Sequence, residues 1–297
     1  MGLASILAPV DFSEDSARGA RLAGRIARRH AARLTLLYVD GLPDYSRRVA
    51  REAAPASWVD YLERRDEALR QRLREFAHSV EVGDDANIAL SHGNPEQAIT
   101  EHARAGAYDL IVISPRGSGY GQQFLIGSVS AAVASSATCP VLVARMRSEA
   151  ALLVSEFAEP LVAVADPPLA EQALESTLLL SQKGTTIHLL HVLESFEVTV
   201  GPPLSGAFQD AVQRRSEELR VELGRRAETA KSEGFQTSVH VVTGDPSFSI
   251  LCHLESKPNG LVVVSRKTGG HDPGHLGTPA YRMVKHSPVP VLVVPQL

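Results

Sequence analysis

Between Ser114 and Val129 the chain reads Ser114-Pro115-Arg116-Gly117-Ser118-Gly119-Tyr120-Gly121-Gln122-Gln123-Phe124-Leu125-Ile126-Gly127-Ser128-Val129. Gly127 and Ser128 open a segment of helical pattern, so unpaired first-turn amides and the positive end of a helix dipole meet there. That combination suits a phosphate, and glycines upstream let main chain approach one closely. The Ser128 hydroxyl adds a donor. A strand-to-helix connection in an α/β unit is usually about 2–6 residues, so this longer, glycine-bearing one is marked for function. Asp11 closes the apolar run ending Pro9-Val10. A lone carboxylate at a strand end reads as a ribose or turn partner, because by itself it does little for an in-line transfer.

Other chemistries are disfavoured. No Gly-x-Ser-x-Gly elbow is present, and the Gly-x4-Gly-Lys-Ser/Thr phosphate loop is missing with its lysine and magnesium ligand. Rapid ATP turnover is therefore not expected, and no catalytic residue is assigned. His271 and His275 stand four apart, but Pro273-Gly274 between them argues for a loop rather than one helix face. His188 and His191, three apart on a strand, face opposite sides and read as packing residues. Cys139 and Cys252 show no metal-ligand spacing and fit a reducing compartment. No metal ligand is expected.

Those residues need a scaffold, and length predicts two. The 297 residues correspond to about two compact units, with 44 % apolar and 22 % charged residues, a composition that folds. No run approaches the 18 or so apolar residues of a membrane span, and Met1-Gly2-Leu3-Ala4-Ser5 lacks a charged region ahead of an apolar one, so a cytoplasmic protein is expected. Residues 1–150 balance 18 Arg, without Lys, against 18 acidic residues, and the remainder holds the net charge of −4. Neither half resembles a nucleic-acid binder. The clusters Arg47-Arg48 to Arg51 and Glu63-Arg64-Arg65-Asp66-Glu67 mix signs and read as solvated helix faces, though the 40–57 loop is placed to cover a pocket.

The chain is written twice. Ser5-Ile6-Leu7-Ala8-Pro9-Val10-Asp11 matches Pro160-Leu161-Val162-Ala163-Val164-Ala165-Asp166, and Leu36-Leu37-Tyr38-Val39 matches Leu189-Leu190-His191-Val192. His92-Gly93-Asn94-Pro95 pairs with Thr243-Gly244-Asp245-Pro246, Asp109 to Ser114 with Gly260 to Ser265, and Cys139 to Val143 with Val289 to Val293. The offset drifts only from 155 to 150 residues. Continuous apolar runs alternating with helical periods predict strands buried on both faces of a parallel sheet, hence α/β architecture. Half one is expected to place strands near 5–10, 34–39, 86–91, 109–114 and 140–145, with helices near 13–31, 57–79, 95–106 and 127–137; half two repeats this. Ser13 suits an N-cap, Ala17, Ala20, Ala23, Ile26 and Ala27 form a small-residue stripe for close packing, and Pro95 and Pro246 suit first helical turns. The linker is placed at 148–159.

On these residues both halves resemble the universal stress protein family, as a tandem pair covering nearly the whole chain. Nucleotide-binding members carry Gly-x2-Gly-x9-Gly followed by Ser or Thr; here half one reads Ser114-x2-Gly117-x9-Gly127-Ser128. The resemblance implies two tandem open-twisted parallel five-stranded sheets flanked by helices, Rossmann-like and of the adenine nucleotide alpha-hydrolase-like kind, as domains 1–148 and 159–297. It implies ATP or another adenine nucleotide, with possible Mg, as the ligand of half one. Asp11 and Val39 then bracket adenine and ribose, with Pro9 and Val10 beside them, while Ser114, Gly117, Gly127, Ser128 and Val129 line the phosphates. Ser114 departs from the first glycine, at a cost of about 1–2 kcal/mol if that backbone is left-handed. Half two, Ser265 to Thr278, lacks the first two motif glycines and is one residue short, so its motif is degenerate, and Asp272 is expected to face the phosphate space. The resemblance further implies pairing through the final strands, Val141–Arg145 and Val291–Val294, as a pseudo-dimer of the halves and as a homodimer. The function expected is a regulatory or interaction module acting on an unidentified protein partner; a nucleotide-independent scaffold and a weak ATP hydrolase are the alternatives.

Overall fold

The computed structural model describes residues 2–42, 47–49, 52, 56–83, 85–115, 127–145, 157–167, 170–194, 206–255, 260–266 and 276–295. They fall into two compact units, one ending at Arg145 and the other holding the remainder. The proposed linker 148–159 falls almost wholly outside the described residues, as do Gly117, His271, Asp272 and His275.

Unit one contains strands β1 (Ser5–Val10), β2 (Arg33–Asp40), β3 (Asn87–His92), β4 (Leu110–Ile113) and β5 (Val141–Val143). Between them run helices α1 (Glu14–His30), α2 (Ala56–Ser79), α3 (Pro95–Ala105) and α4 (Ser128–Ser136). Every strand pair is parallel, in the order β3-β2-β1-β4-β5, with Val10 opposite Tyr38 and Ile6 opposite Leu110. Ile6, Leu7, Leu36, Leu37, Leu110, Ile111 and Leu142 are less than 2 % exposed, and burying each side chain contributes about 1.5–3 kcal/mol. The continuous apolar runs are continuous because helices cover both faces of the sheet.

Unit two repeats the pattern with β6 (Leu161–Ala163), α5 (Ala170–Leu180), β7 (Thr186–Leu193), α6 (Gly206–Ser232), β8 (Gln236–Thr243), α7 (Pro246–Glu255), β9 (Val262–Arg266), α8 (Thr278–His286) and β10 (Val291–Pro295). Its parallel order, β8-β7-β6-β9-β10, corresponds strand by strand to that of unit one.

α1 shows how local sequence sets an element. Ser13 accepts from the Ser16 amide at 3.1 Å, Glu14 and Asp15 occupy the first turn, and Arg28, Arg29 and His30 the last, all in the sense the helix dipole favours. Its buried face carries Gly19, Ala20, Ala23, Gly24, Ile26 and Ala27, with Ala17 half-buried. A β-carbon on Gly24 would stand 3.1 Å from Val82 Cγ1 and 3.3 Å from its Cα. That glycine is what lets α1 lie so close.

The charged clusters are not wholly solvated, which corrects the sequence expectation. Glu63, Arg64 and Glu67 are exposed, but Asp66 and Arg47 are buried and Arg65 is half-buried. Leu62, Asp66 and Leu73 share the inward stripe of α2, so helical phase turns part of a charge run toward the sheet. Arg47 donates to Asp66, with Nη1 to Oδ1 at 3.1 Å, and His92 Nε2 lies 3.5 Å from the same carboxylate. Arg65 donates through Nε and Nη2 to buried Asp40, both at 3.0 Å. These hydrogen bonds hold the Asp40 carboxyl below its usual range, against the opposing cost of burial.

Because the folded pKa of Asp40 is lowered, its contribution is present above the ordinary carboxylate range and lost as pH falls from that range through the lower folded value. Urea unfolding between about pH 5 and 3 should therefore show a steeper loss of stability in the native protein than in Asp40→Asn. Arg65→Ala at neutral pH, which strands the Asp40 carboxylate, should cost about 2 kcal/mol. Equal pH slopes in the native and Asp40→Asn proteins would remove this pair from the stability account.

Candidate functional site

Strand order places the site. β1 lies between β2 and β4, and the crossovers to them leave on opposite sides, so chain order reverses beyond the carboxyl ends of β1 and β4. Asp11 and Ser114 are the first residues past those ends. Pro9 and Val10 are buried in β1, and Val39 is half-buried near the end of β2, opposite Ser91.

The helix entry follows. Gly127 is the N-cap of α4 and supplies no side-chain cap. Its amide donates to Pro115 O at 2.9 Å, and Ser130 Oγ donates to Pro115 O at 3.2 Å and Gly127 O at 3.0 Å. The two ends of the Arg116–Ile126 stretch, which lies outside the described residues, are thus joined beside β4. Ser128 is exposed and Val129 half-buried at the first turn. Their amides precede the first intrahelical donor position and point out of the helix start, where an external acceptor is favoured. An open groove on α6, between Arg214 and Arg226, shares no residue with this crevice.

Asp11 acts as a turn partner. Its Oδ1 accepts from the Ser13 hydroxyl at 2.6 Å and the Ser13 amide at 3.1 Å, fixing the carboxylate at the start of α1. Ser114 is buried, and its backbone is not among the described non-glycine residues with positive φ. The left-handed cost attached to a missing glycine therefore does not arise at this position. A β-carbon on Gly19 of α1 would stand 3.5 Å from Ser114 N and 3.8 Å from its Cβ, an ordinary contact. Serine fits where it stands.

Phe12, between Asp11 and Ser13, is a residue that motif reasoning passes over. It holds φ 63°, a left-handed conformation unfavourable for a non-glycine side chain by about 1–2 kcal/mol. Its ring stacks on Tyr38 at 4.6 Å, meets Phe76 edge-on at 5.5 Å and lies under Arg72 at 4.2 Å. Aromatic contacts worth about 0.5–1.5 kcal/mol each offset the strain and anchor the turn that carries Asp11.

Unit two keeps the frame and changes its contents. Asp166 is exposed, and β9 continues through Ser265 and Arg266, beyond the residue that matches the end of β4. Arg266 is buried, which draws its pKa down through desolvation. At the helix entry Gly277 holds φ 73° and is followed by Thr278 and Pro279. Pro279 stands where Val129 stands in unit one and has no N–H, so this helix start presents one donor fewer. Helix geometry tolerates the proline there, but an anion site is poorer for it. Cys139 is half-buried, and burial pushes its pKa up to about 11, which keeps the thiol protonated and unreactive.

With this geometry in place, comparison with known proteins is direct. The family model described as the Universal stress protein family matches residues 3–145 and again residues 160–295. Universal stress protein YxiE of Bacillus subtilis is 29% identical over 146 residues, 47% of this chain and 97% of its own length. A universal stress protein of Thermus aquaticus, named for its place in the QAH/OAS sulfhydrylase 3'region, is 34% identical over 142 residues, 48% of this chain and 98% of its own. The crystal structure of a universal stress protein from Archaeoglobus fulgidus covers 98% of this chain and 96% of that one, with a TM-score of 0.65 and 20% identity, a likeness of fold.

If strain at Phe12 is balanced by ring packing, the usual order of substitutions inverts. Phe12→Ala should lose about 2–3 kcal/mol in chemical denaturation, whereas Phe12→Gly, free of the left-handed penalty, should lose about 0.5–1 kcal/mol less. Glycine proving the worse of the two would reject the strain.

Proposed function

The chain belongs to the universal stress protein family as a tandem pair, and from that premise we propose that its first domain, 1–148, binds an adenine nucleotide. The observation that carries the reading is the start of α4: an N-cap glycine without a capping side chain, tied to Pro115 and set at the reversal of strand order beside Asp11. Ser128 and Val129 amides, with Gly127 and Gly117 allowing close approach, receive the phosphates, and magnesium accompanies them. Pro9, Val10 and Val39 provide apolar walls for the base, Asp11 meets the ribose, and Ser114 lies at the edge of the phosphates.

Occupancy of this site biases contacts with another protein, to the extent that the ligand binds the two states with different affinity. The second domain, 159–297, serves interaction rather than nucleotide binding, and the proline at 279 is the feature that favours this. A homodimer in the cytoplasm is part of the same proposal. Turnover is slow or absent, since no lysine-bearing phosphate loop accompanies the crevice.

Heat denaturation of purified protein should release an adenine nucleotide into the supernatant, and calorimetric titration of the stripped chain with ATP, ADP and AMP should give one site per chain. Gly117→Val should weaken binding at least tenfold, about 1.4 kcal/mol. Val129→Pro, which copies the second domain and removes one amide, should also weaken it about tenfold while leaving the fold intact. No heat at millimolar nucleotide favours the scaffold. Steady phosphate release with magnesium, abolished by Gly117→Val, favours the hydrolase. Light scattering should give twice the 31.9 kDa chain mass.

A further inference from the structure

We infer that His188, His240 and His253 form a binding site for a divalent transition metal, with zinc as the ion committed to. Position along the strand makes His188 a packing residue, and that description suits His191, whose Nδ1 bonds Val164 O at 2.8 Å. His188 is placed otherwise. In the β7–β8 register His188 faces Ser238 and Leu190 faces His240, so His188 and His240 lie diagonally on one face of the sheet. α7 brings His253 over the same face, with ring centroids 5.7 Å from His188 and 5.1 Å from His240.

The spacing is that of ligands. His188 Nδ1 lies 3.4 Å from His240 Nε2, and one ligand atom from each of the three residues falls within 4.8 Å of the others. Tetrahedral zinc with Zn–N bonds of about 2.0–2.1 Å separates its nitrogens by about 3.3–3.4 Å. One pair already has that distance, and the third ring has to turn inward from within 4.8 Å to complete the set. His188 is buried and the other two are half-buried. Ser238 Oγ lies 3.0 Å from the same His240 Nε2 and must turn away from it when the metal takes that nitrogen. Three imidazoles without a thiolate or carboxylate suit zinc, copper or nickel and not magnesium or calcium.

The duplicated half is an internal contrast. By the register of the repeat, His188, His240 and His253 correspond to Thr35, Ala89 and His102. In unit one Tyr108 fills this space: its hydroxyl bonds Thr35 Oγ1 at 2.9 Å and its ring stacks on His102 at 5.8 Å. In the sequence repeat Asn259 aligns with that tyrosine, and histidines stand at 188 and 240 where the first half has Thr35 and Ala89. The site sits near the amino end of β7 and the carboxyl end of α7, away from the crevice at the carboxyl strand ends. It would tie α7 to two strands and is independent of nucleotide binding.

The full chain, treated with EDTA and desalted, should take up one zinc ion in competition with a chromophoric chelator. His240→Asn and His253→Asn should each weaken uptake by about 100-fold or more, and His102→Asn should leave it unchanged, with circular dichroism confirming the fold. Cobalt added to the native chain should give the intense visible bands of a tetrahedral nitrogen-rich site, a readout that needs no variant. The proposal is overturned by failure of the native chain to compete for zinc, by octahedral cobalt spectra, or by equal effects of His240→Asn and His102→Asn.

Discussion

Parallel pairing of five strands through helical crossovers is the constraint on which each unit depends. It buries both faces of the sheet, satisfies the interior backbone and sends every strand's carboxyl end to one edge. Because β1 is flanked by β2 and β4, successive crossovers leave the edge in opposite directions, the topology that places a crevice beyond the strand ends in open α/β sheets. Asp11 and Ser114 follow the carboxyl ends of β1 and β4 and Val39 lies near that of β2, although more than a hundred residues separate Asp11 from Ser114. The recess follows from topology.

A second layer of interactions holds that edge in shape. Arg65 ties α2 to Asp40 at the end of β2, Arg47 pairs with Asp66 of α2, and His92 at the end of β3 lies beside the same carboxylate. Phe12 fastens the turn after β1 to the same strand and helix through Tyr38 and Phe76. Both devices place costly features, buried charge and a left-handed phenylalanine, close to the recess and compensate each with several contacts.

Duplication separates what the fold demands from what the chemistry demands. Apolar runs and strand order recur in both units, because loss of either exposes the sheet. The helix entry does not recur: an amide at Val129 becomes a proline at 279, and Asp11, bonded to Ser13, becomes an exposed Asp166. The face beneath α7 diverges in the reverse sense, from a tyrosine-filled space to three convergent histidines. Each unit has kept the frame and moved its polar chemistry to a different place.

Much of this was legible in sequence for a specific reason. Strands buried on both faces must be written as unbroken apolar runs and their helices in a 3.6 period, so the α/β order, the repeat, Ser13 as cap and the helix entry at Gly127 are local patterns. Burial of Asp66 and Arg47 was less visible, because a run of mixed charges does not declare its helical phase against the sheet. Nothing local marks Phe12 as left-handed, and Ser114 looks deficient until its backbone is seen. His188, His240 and His253 belong to three elements and share no motif; only strand register and the docking of α7 bring their nitrogens together. Sequence alone determined the elements and their order, since these depend on neighbours in the chain. Tertiary structure decided which distant side chains share a few ångströms, since that depends on packing and register.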